Sequence, residues 1–169
     1  MNETQEDMEF LQKLLDQSIE KAGSFVRNSF QMPECSLSAK QLVRYLQGIH
    51  TVAFATVTAK GEPRVAPISS LFFRGHFYIP TVVTAARTKQ VMKHPAVSLT
   101  HFAGNDLAII VHGDATVMVS NHLDFQTLES LFYAESGSKV SDWGEGVYLR
   151  VEAHVLYTFA RHPEQYSGQ

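Results

Sequence analysis

The spacing of apolar residues changes at His50, and this change does most to narrow the folds open to the chain. Before His50, apolar residues recur at the spacing of one face of a helix. After it come short runs of apolar and β-branched residues, of which the first is Thr51–Val57, closed by the turn signal at residues 60–63. The sequence therefore predicts a helical N-terminal part followed by a mainly β body.

Two helices are predicted before His50. The first covers about residues 5–28, with Thr4 and Asp7 at the spacing of a capping box. The second begins after Ser38, whose hydroxyl is suited to an N-cap. Residues 31–36 contain a proline and are predicted to link the two helices.

Six strands are predicted after the change of period, at about residues 51–57, 64–73, 77–80, 96–102, 107–119 and 146–159. The first three are separated by short turns and should form a meander. Helices are predicted at 85–94, stopped by Pro95, and at 123–134, capped by Asn121. Because closure removes the exposed edges of so many apolar strands, we expect a closed or nearly closed β-barrel of mostly antiparallel strands.

Charge and cysteine content exclude several classes of protein. The 14 Lys and Arg against 17 Asp and Glu give a net charge of −3, so nucleic-acid binding is not expected. Cys35 is the only cysteine, which rules out an internal disulfide and favours the reducing cytoplasm. An acidic N-terminus and the lack of long apolar windows speak against export and membrane spanning.

A candidate anion site lies where the third strand leads into the next helix. Thr81 and Thr84 supply hydroxyls there, Arg87 a planar guanidinium and Lys89 a mobile charge. Cations in the first turn of a helix are disfavoured by its dipole, so a bound anion would compensate them. Arg64, which starts a neighbouring strand, can join from the side. The alternative is an ordinary solvated pair of bases with threonine caps.

Several segments together resemble the flavin-binding split-barrel family that includes pyridoxamine 5'-phosphate oxidase. They are Val52–Val57 with Gly61–Pro63, Arg64–Ser69, Thr81 followed by Arg87, His94–Leu99 and Val111–Ala115. The resemblance spans roughly residues 38–160. It implies a mainly β, six-stranded split barrel at 38–169, preceded by a helical extension and linker at 1–37. It also implies FMN as cofactor, a small-molecule substrate, and a homodimer with the cofactor sites at its interface.

The resemblance also implies which residues bind the cofactor. The set is Arg64, Val65, Ala66, Pro67, Ile68, Ser69, Pro80, Thr81, Thr84, Arg87 and Lys89, with no metal. In the family, the strand that starts at Arg64 runs along the isoalloxazine ring, and Arg87 falls where a lysine commonly binds the phosphate. Ala85 and Ala86 depart from the Ser-Arg of the oxidase subgroup, and Ala108 falls near a flavin-contacting glutamine. The chain also lacks a Trp and Arg pair for pyridoxal phosphate, since Trp143 sits in a Gly-rich loop.

The function implied by the resemblance is an FMN-dependent oxidoreductase that transfers a hydride or electrons to or from a small substrate. Other branches of the family use a deazaflavin cofactor or heme, so a deazaflavin-dependent reductase and a non-catalytic flavin- or heme-binding module remain alternatives. The eight histidines show no metal-ligand spacing, although His101, His112 or His154 could ligate iron if the fold brought them together.

Overall fold

The computed structural model describes residues 2–167, so Met1, Gly168 and Gln169, at the ends of the predicted ranges 1–37 and 38–169, lie outside the described residues. The helices are α1 (Gln5–Lys21), α2 (Ser24–Ser29), α3 (Ala39–Tyr45), α4 (Ala86–Lys93) and α5 (Phe125–Ser136). The strands are β1 (Ile49–Val57), β2 (Pro63–Phe73), β3 (His76–Val82), β4 (Ala96–Ala103), β5 (Leu107–Met118) and β6 (Gly146–Ala160). Short 3-10 turns cover Val140–Trp143 and Pro163–Tyr166.

The six strands form one closed barrel in the order β1-β2-β3-β6-β5-β4, and every pairing is antiparallel. Pairing of β1 with β4 closes the sheet, so both ends of the strand order are covered. The first three strands form a meander. The predicted fold class, a mainly β barrel with short helices and an N-terminal helix, is therefore confirmed.

The barrel interior is filled by alternating strand residues. Val52 and Phe54 of β1 face Ile79 of β3 and Leu149 of β6 in one apolar cluster, and each is at most 3 % exposed. A second cluster lies under α5, where Phe125 contacts the Tyr148 ring edge-on. The aromatic residues around the β2–β3 turn belong to these two apolar clusters. They are Phe72, Phe73, Phe77 and Tyr78.

The predicted N-terminal helix is broken. The Thr4–Asp7 capping box forms as expected, but α1 ends at Lys21 and α2 begins after Gly23. Glycine is a poor helix former, and the Arg27 side chain turns back to donate to the carbonyl of Ala22, at 3.1 Å. That contact satisfies a carbonyl at the α1 end and stabilises the break. The prediction of one helix over 5–28 is therefore wrong, whereas α3 has the predicted Ser38 cap.

Helix α1 closes one side of the barrel and shares its core. Leu11 and Leu15 are at most 2 % exposed and belong to the same apolar cluster as the barrel strands. Ser18 accepts a hydrogen bond from the backbone N–H of Leu156 at 3.0 Å and donates to the carbonyl of Leu14 at 2.7 Å. A backbone group of β6 thus finds its partner in α1, which ties the helix to the sheet.

Helix α5 begins later than predicted. Its N-cap is Asp124 and not Asn121, and its first backbone hydrogen bond runs from Leu128 to Asp124. Residues 119–124 form turns instead, closed by the backbone bonds from His122 to Val119 and from Phe125 to His122. Among the helices within residues 2–167, none combines the length and apolar character needed to cross a membrane.

The β5–β6 pairing contains a bulge that depends on a glycine. The register shifts between His112 and Gly113, and a Cβ built on Gly113 would lie 1.9 Å from the carbonyl oxygen of Glu152. No side chain fits at that distance unless the two strands separate.

Gly113→Ala should therefore destabilise the protein by about 1–3 kcal/mol, the usual cost of forcing extra volume into a packed site. Chemical denaturation measures the change. Gly23→Ala is the matched control, because nothing lies within 4 Å of its added Cβ. Its backbone is one that alanine adopts without strain, so we expect a gain of at most about 1 kcal/mol and no destabilisation. Equal effects of the two substitutions would contradict the role given to the bulge.

Candidate functional site

The candidate site lies where β2 and β3 separate. These strands pair only through three residues on each side of their turn, from Leu71–Phe73 to His76–Tyr78. Beyond that point β2 continues along β1, while β3 continues along β6. Pro67 and Pro80 occur on the separated parts of the strands, and neither has a backbone N–H to donate across the gap. The split therefore follows from the strand pairing.

Two adjacent cavities open at this split. The large cavity has a volume of about 410 Å³. It is lined by Pro67, Ile68 and Ser69 of β2, Pro80, Thr81 and Val82 of β3, and by Ala85, Arg87 and Trp143. The small cavity has a volume of about 240 Å³. It is lined by Phe54, Thr56, Arg64, Val65, Ala66, Ala86, Arg87 and Gln90.

Arg87 is the residue that both cavities share. It is the second residue of α4, and its guanidinium donates to the Thr81 hydroxyl at 3.3 Å. This single contact leaves most of its five N–H groups for another partner. Thr88 donates its hydroxyl to the carbonyl of Val82 at 2.8 Å, which holds the start of α4 against the end of β3.

The start of α4 adds backbone donors to the small cavity. Its N-cap residue is Ala85, whose methyl group cannot accept the hydrogen bonds of the first-turn N–H groups. Ala86, the first helical residue, lines the small cavity. A helix start with free N–H groups favours anions, and two arginines reinforce that preference here.

Arg64 forms the outer wall of the small cavity. Its guanidinium pairs with Glu62 at 2.8 Å, and both side chains are more than half exposed. A pair this exposed contributes little to stability, so Arg64 can exchange Glu62 for an anion in the cavity at small cost.

Most of the sequence-predicted residues are brought together by the fold. Arg64, Val65, Ala66 and Arg87 line the small cavity, and Pro67, Ile68, Ser69, Pro80, Thr81 and Arg87 line the large one. Thr84 and Lys89 are exposed, and within residues 2–167 they are not part of either lining. Whether this set binds a cofactor stays a prediction.

Sequence reasoning missed three residues with hydrogen-bonding side chains at these cavities. Thr56 is buried and donates its hydroxyl to Oε1 of Gln90 at 2.6 Å, which leaves the Gln90 amide NH₂ available to the small cavity. Gln90 lies three positions after Arg87, a helical same-face spacing that could have indicated it. Thr56 pairs directly with Arg64 in the β1–β2 register. Trp143 reaches the large cavity from a loop, and local sequence does not signal that position.

The histidines considered for metal binding lie apart in different contacts. His101 hydrogen-bonds the Tyr45 hydroxyl and the Thr51 carbonyl, each at 2.8 Å. His112 contacts Ser98, and His154 lies 3.4 Å from an oxygen of Asp114. In the part of the chain from residue 2 to 167, no three His, Cys, Asp or Glu side chains form a group that could hold a metal ion.

An apolar face adjoins the small cavity. It consists of Ala53, Val65, Thr100, Phe102 and Ile110 on the outer side of β1, β2, β4 and β5. Val65 is 69 % exposed and Phe102 63 % exposed. Because Val65 also lines the small cavity, the apolar face and the candidate site are continuous.

Comparison with solved structures shows the same fold in other proteins. A conserved hypothetical protein from Mycobacterium tuberculosis is 13 % identical, with 81 % of this chain and 93 % of that one covered and a TM-score of 0.68. An FAD-binding protein from Mesorhizobium loti is 19 % identical, with 73 % of this chain and 93 % of that one covered and a TM-score of 0.56. The heme storage protein from Vibrio cholerae is 14 % identical, with 71 % of this chain and 90 % of that one covered and a TM-score of 0.54. At these identities the likeness concerns the fold alone.

The sequence gives no match among curated proteins. It does match a family model, described as pyridoxamine 5'-phosphate oxidase, over residues 38–157. That range runs from the cap of α3 to the last third of β6 and contains both cavities and the split between β2 and β3. The chain therefore belongs to the pyridoxamine 5'-phosphate oxidase family.

Proposed function

We propose that this protein is a homodimeric, FMN-binding oxidoreductase that exchanges a hydride or electrons with a small-molecule substrate. The observation that carries the proposal is the position of Arg87 between a polar cavity and a largely apolar one. A flavin mononucleotide has the matching two parts, a phosphate dianion and a flat, mostly apolar ring. The single cysteine is the ground for proposing a cytoplasmic location.

The small cavity has the donors that a phosphate needs. Two guanidinium groups, from Arg64 and Arg87, and the amide of Gln90 face it together with the start of α4. A guanidinium group binds a phosphate through two parallel N–H···O hydrogen bonds, which are charge-assisted and therefore strong. The Thr56 hydroxyl fixes the amide of Gln90 so that its NH₂ donates. These residues fit a terminal phosphate.

The large cavity has walls suited to a flat ring. Pro67, Ile68 and Pro80 supply apolar surface from the two separated strands, and Trp143 supplies an aromatic wall. Ser69 and Thr81 add hydroxyl groups at the same cavity. When bound, the isoalloxazine ring supplies the hydride- and electron-transfer chemistry, so the residues of this chain need only hold it and limit the access of water.

The apolar face supports the homodimer. Exposed apolar surface around Val65 and Phe102 is the kind of patch that protein interfaces cover. A second copy seated there would meet the candidate site through Val65, which lines the small cavity and belongs to the apolar face. The dimer would thus limit solvent access to the small cavity.

Replacing Arg87 tests the phosphate site. Arg87→Ala should weaken FMN binding by about 1.5–3 kcal/mol, or roughly 10- to 150-fold, because hydrogen bonds to a charged group are lost. Riboflavin, which has no phosphate, should bind both proteins alike. Lys89→Ala is the matched control on the same helix, since Lys89 is exposed. Titration that follows the emission of Trp143, the single tryptophan, measures each of these affinities. Equal FMN affinity in Arg87→Ala and the parent protein would contradict this site.

Replacing Phe102 tests the dimer. Phe102→Glu places a charge in the apolar face and should shift the protein from dimer to monomer in sedimentation velocity. Phe25→Glu is the control, because Phe25 is 81 % exposed and lies on α2, which contributes nothing to the apolar face as defined above. A dimer that survives Phe102→Glu unchanged would place the interface elsewhere.

Two measurements separate an enzyme from a binding module. The absorption spectrum of the purified protein distinguishes flavin, deazaflavin and heme, and heme deserves a place in the test because a structure of the same fold belongs to a heme storage protein. We expect a flavin spectrum that bleaches on addition of a nicotinamide cofactor and recovers with an electron acceptor. Tight binding of the chromophore without such turnover would favour the module.

A further inference from the structure

The loop between α5 and β6 forms one wall of the large cavity. Trp143 stands at the end of the 3-10 turn Val140–Trp143 and is 45 % exposed. Its indole N–H donates to the Ser138 hydroxyl at 2.9 Å, and its ring meets Phe132 edge-on with centroids 5.6 Å apart. These contacts orient the ring within the loop, so the position of the wall depends on what holds the loop itself.

Glu129 of α5 holds the loop through a buried carboxylate. The side chain is 4 % exposed and accepts the backbone N–H of Val140 at 2.9 Å and the hydroxyl of Ser141 at 2.7 Å. The backbone N–H of Ser141, at 3.4 Å, and the hydroxyl of Tyr148, at 3.2 Å, complete the set. Burial and the neighbouring Glu129 raise the pKa of Tyr148 far above its ordinary value, so its hydroxyl stays protonated and donates.

The carboxylate contributes more to position than to stability. Burying a charge among neutral donors is costly, and an apolar side chain of similar size is often as stabilising. A carboxylate offers what an apolar residue lacks, which is simultaneous acceptance of several donors from one short segment. Those donors fix the backbone of the loop two to three residues before Trp143.

The loop also contacts the segment between β3 and α4. The N–H of Val83 donates to the carbonyl of Glu145 at 2.9 Å, and the Val140 carbonyl lies so close to Gly146 that an added Cβ would be 2.2 Å away. A shift of Val140 therefore moves the entry to β6 and its contact with the α4 corner. The position of the loop therefore affects two sides of the candidate site, the Trp143 wall and the segment that precedes α4.

We infer that Glu129 is a positioning residue, which sets the Trp143 wall of the large cavity through its hydrogen bonds to Val140 and Ser141. The inference rests on the proposed function in that it takes FMN as the ligand. The hydrogen bonds that hold the loop do not depend on that function. Glu129 itself does not line the large cavity within the described residues 2–167, so it acts only through the loop.

Glu129→Gln is the main test, because glutamine keeps the size of the side chain but has one acceptor oxygen in place of two. Trp143 is the only tryptophan, so its emission reports on this wall alone. We expect the ligand-free variant to show greater quenching of Trp143 by acrylamide than the parent protein. We expect its FMN affinity to fall by up to about tenfold, because binding must then reorder a loop that has lost a hydrogen bond to a charged group.

Glu135→Gln on the same helix is the control, since Glu135 is exposed and should leave both readouts unchanged. Trp143→Ala provides the second comparison. If Glu129 acts through Trp143, the Glu129→Gln/Trp143→Ala double variant should bind FMN no more weakly than Trp143→Ala alone. Both of these affinities are read from the fluorescence of FMN itself, because the two proteins contain no tryptophan. Additive losses, or a Glu129→Gln protein that melts earlier with unchanged quenching and FMN affinity, would overturn the inference.

Quenching of Trp143 also distinguishes a folding defect in Glu129→Gln from a failure of the parent protein to bind FMN. If Glu129→Gln does not fold, Ser141→Ala removes the 2.7 Å contact from an exposed residue and should increase quenching of Trp143 in the same direction. Unchanged quenching in that variant would count against the inference. Failure of the parent protein to bind FMN would defeat the proposed function, whereas the quenching arm would still decide the role of Glu129.

Discussion

The separation of β2 from β3 is the constraint on which the candidate site depends. Three residue pairs beside the turn hold the two strands together, and farther along each strand pairs with a different neighbour. The large cavity occupies the space between them, with prolines on both sides. Because the barrel closes elsewhere, through β1 and β4, it can keep this opening without leaving an unpaired end in the strand order.

Polar contacts around the opening come from elements that the barrel already fixes. Thr81 of β3 contacts Arg87, Thr88 contacts the carbonyl of Val82, and Thr56 orients Gln90. The cationic group is thus attached to a strand on one side and a helix on the other. A site assembled this way is largely formed before any ligand arrives, which lowers the entropy that binding must overcome.

Local signals predicted the elements well and the contacts between them less well. The change of period at His50 indicates the barrel. The strand-to-helix junction points to Arg87, which lines both cavities, and its role in binding stays a prediction. The break at Gly23 was missed because the helical spacing continues across it, while a tertiary contact from Arg27 stabilises the break. The sequence does not place Trp143 at the cavity, because the path of its Gly-rich loop depends on a contact with Glu129, eleven residues before Val140.

The attachment of α1 bears on how the protein can be divided. The family match begins at residue 38, so an expression boundary drawn there would appear natural. Yet such a truncation would strip Leu11 and Leu15 from the barrel core and leave the N–H of Leu156 without the Ser18 oxygen. The shortened polypeptide would expose apolar surface beside β6 and be prone to aggregate. The boundary of the family match therefore differs from the boundary of the segment that the barrel needs to complete its core.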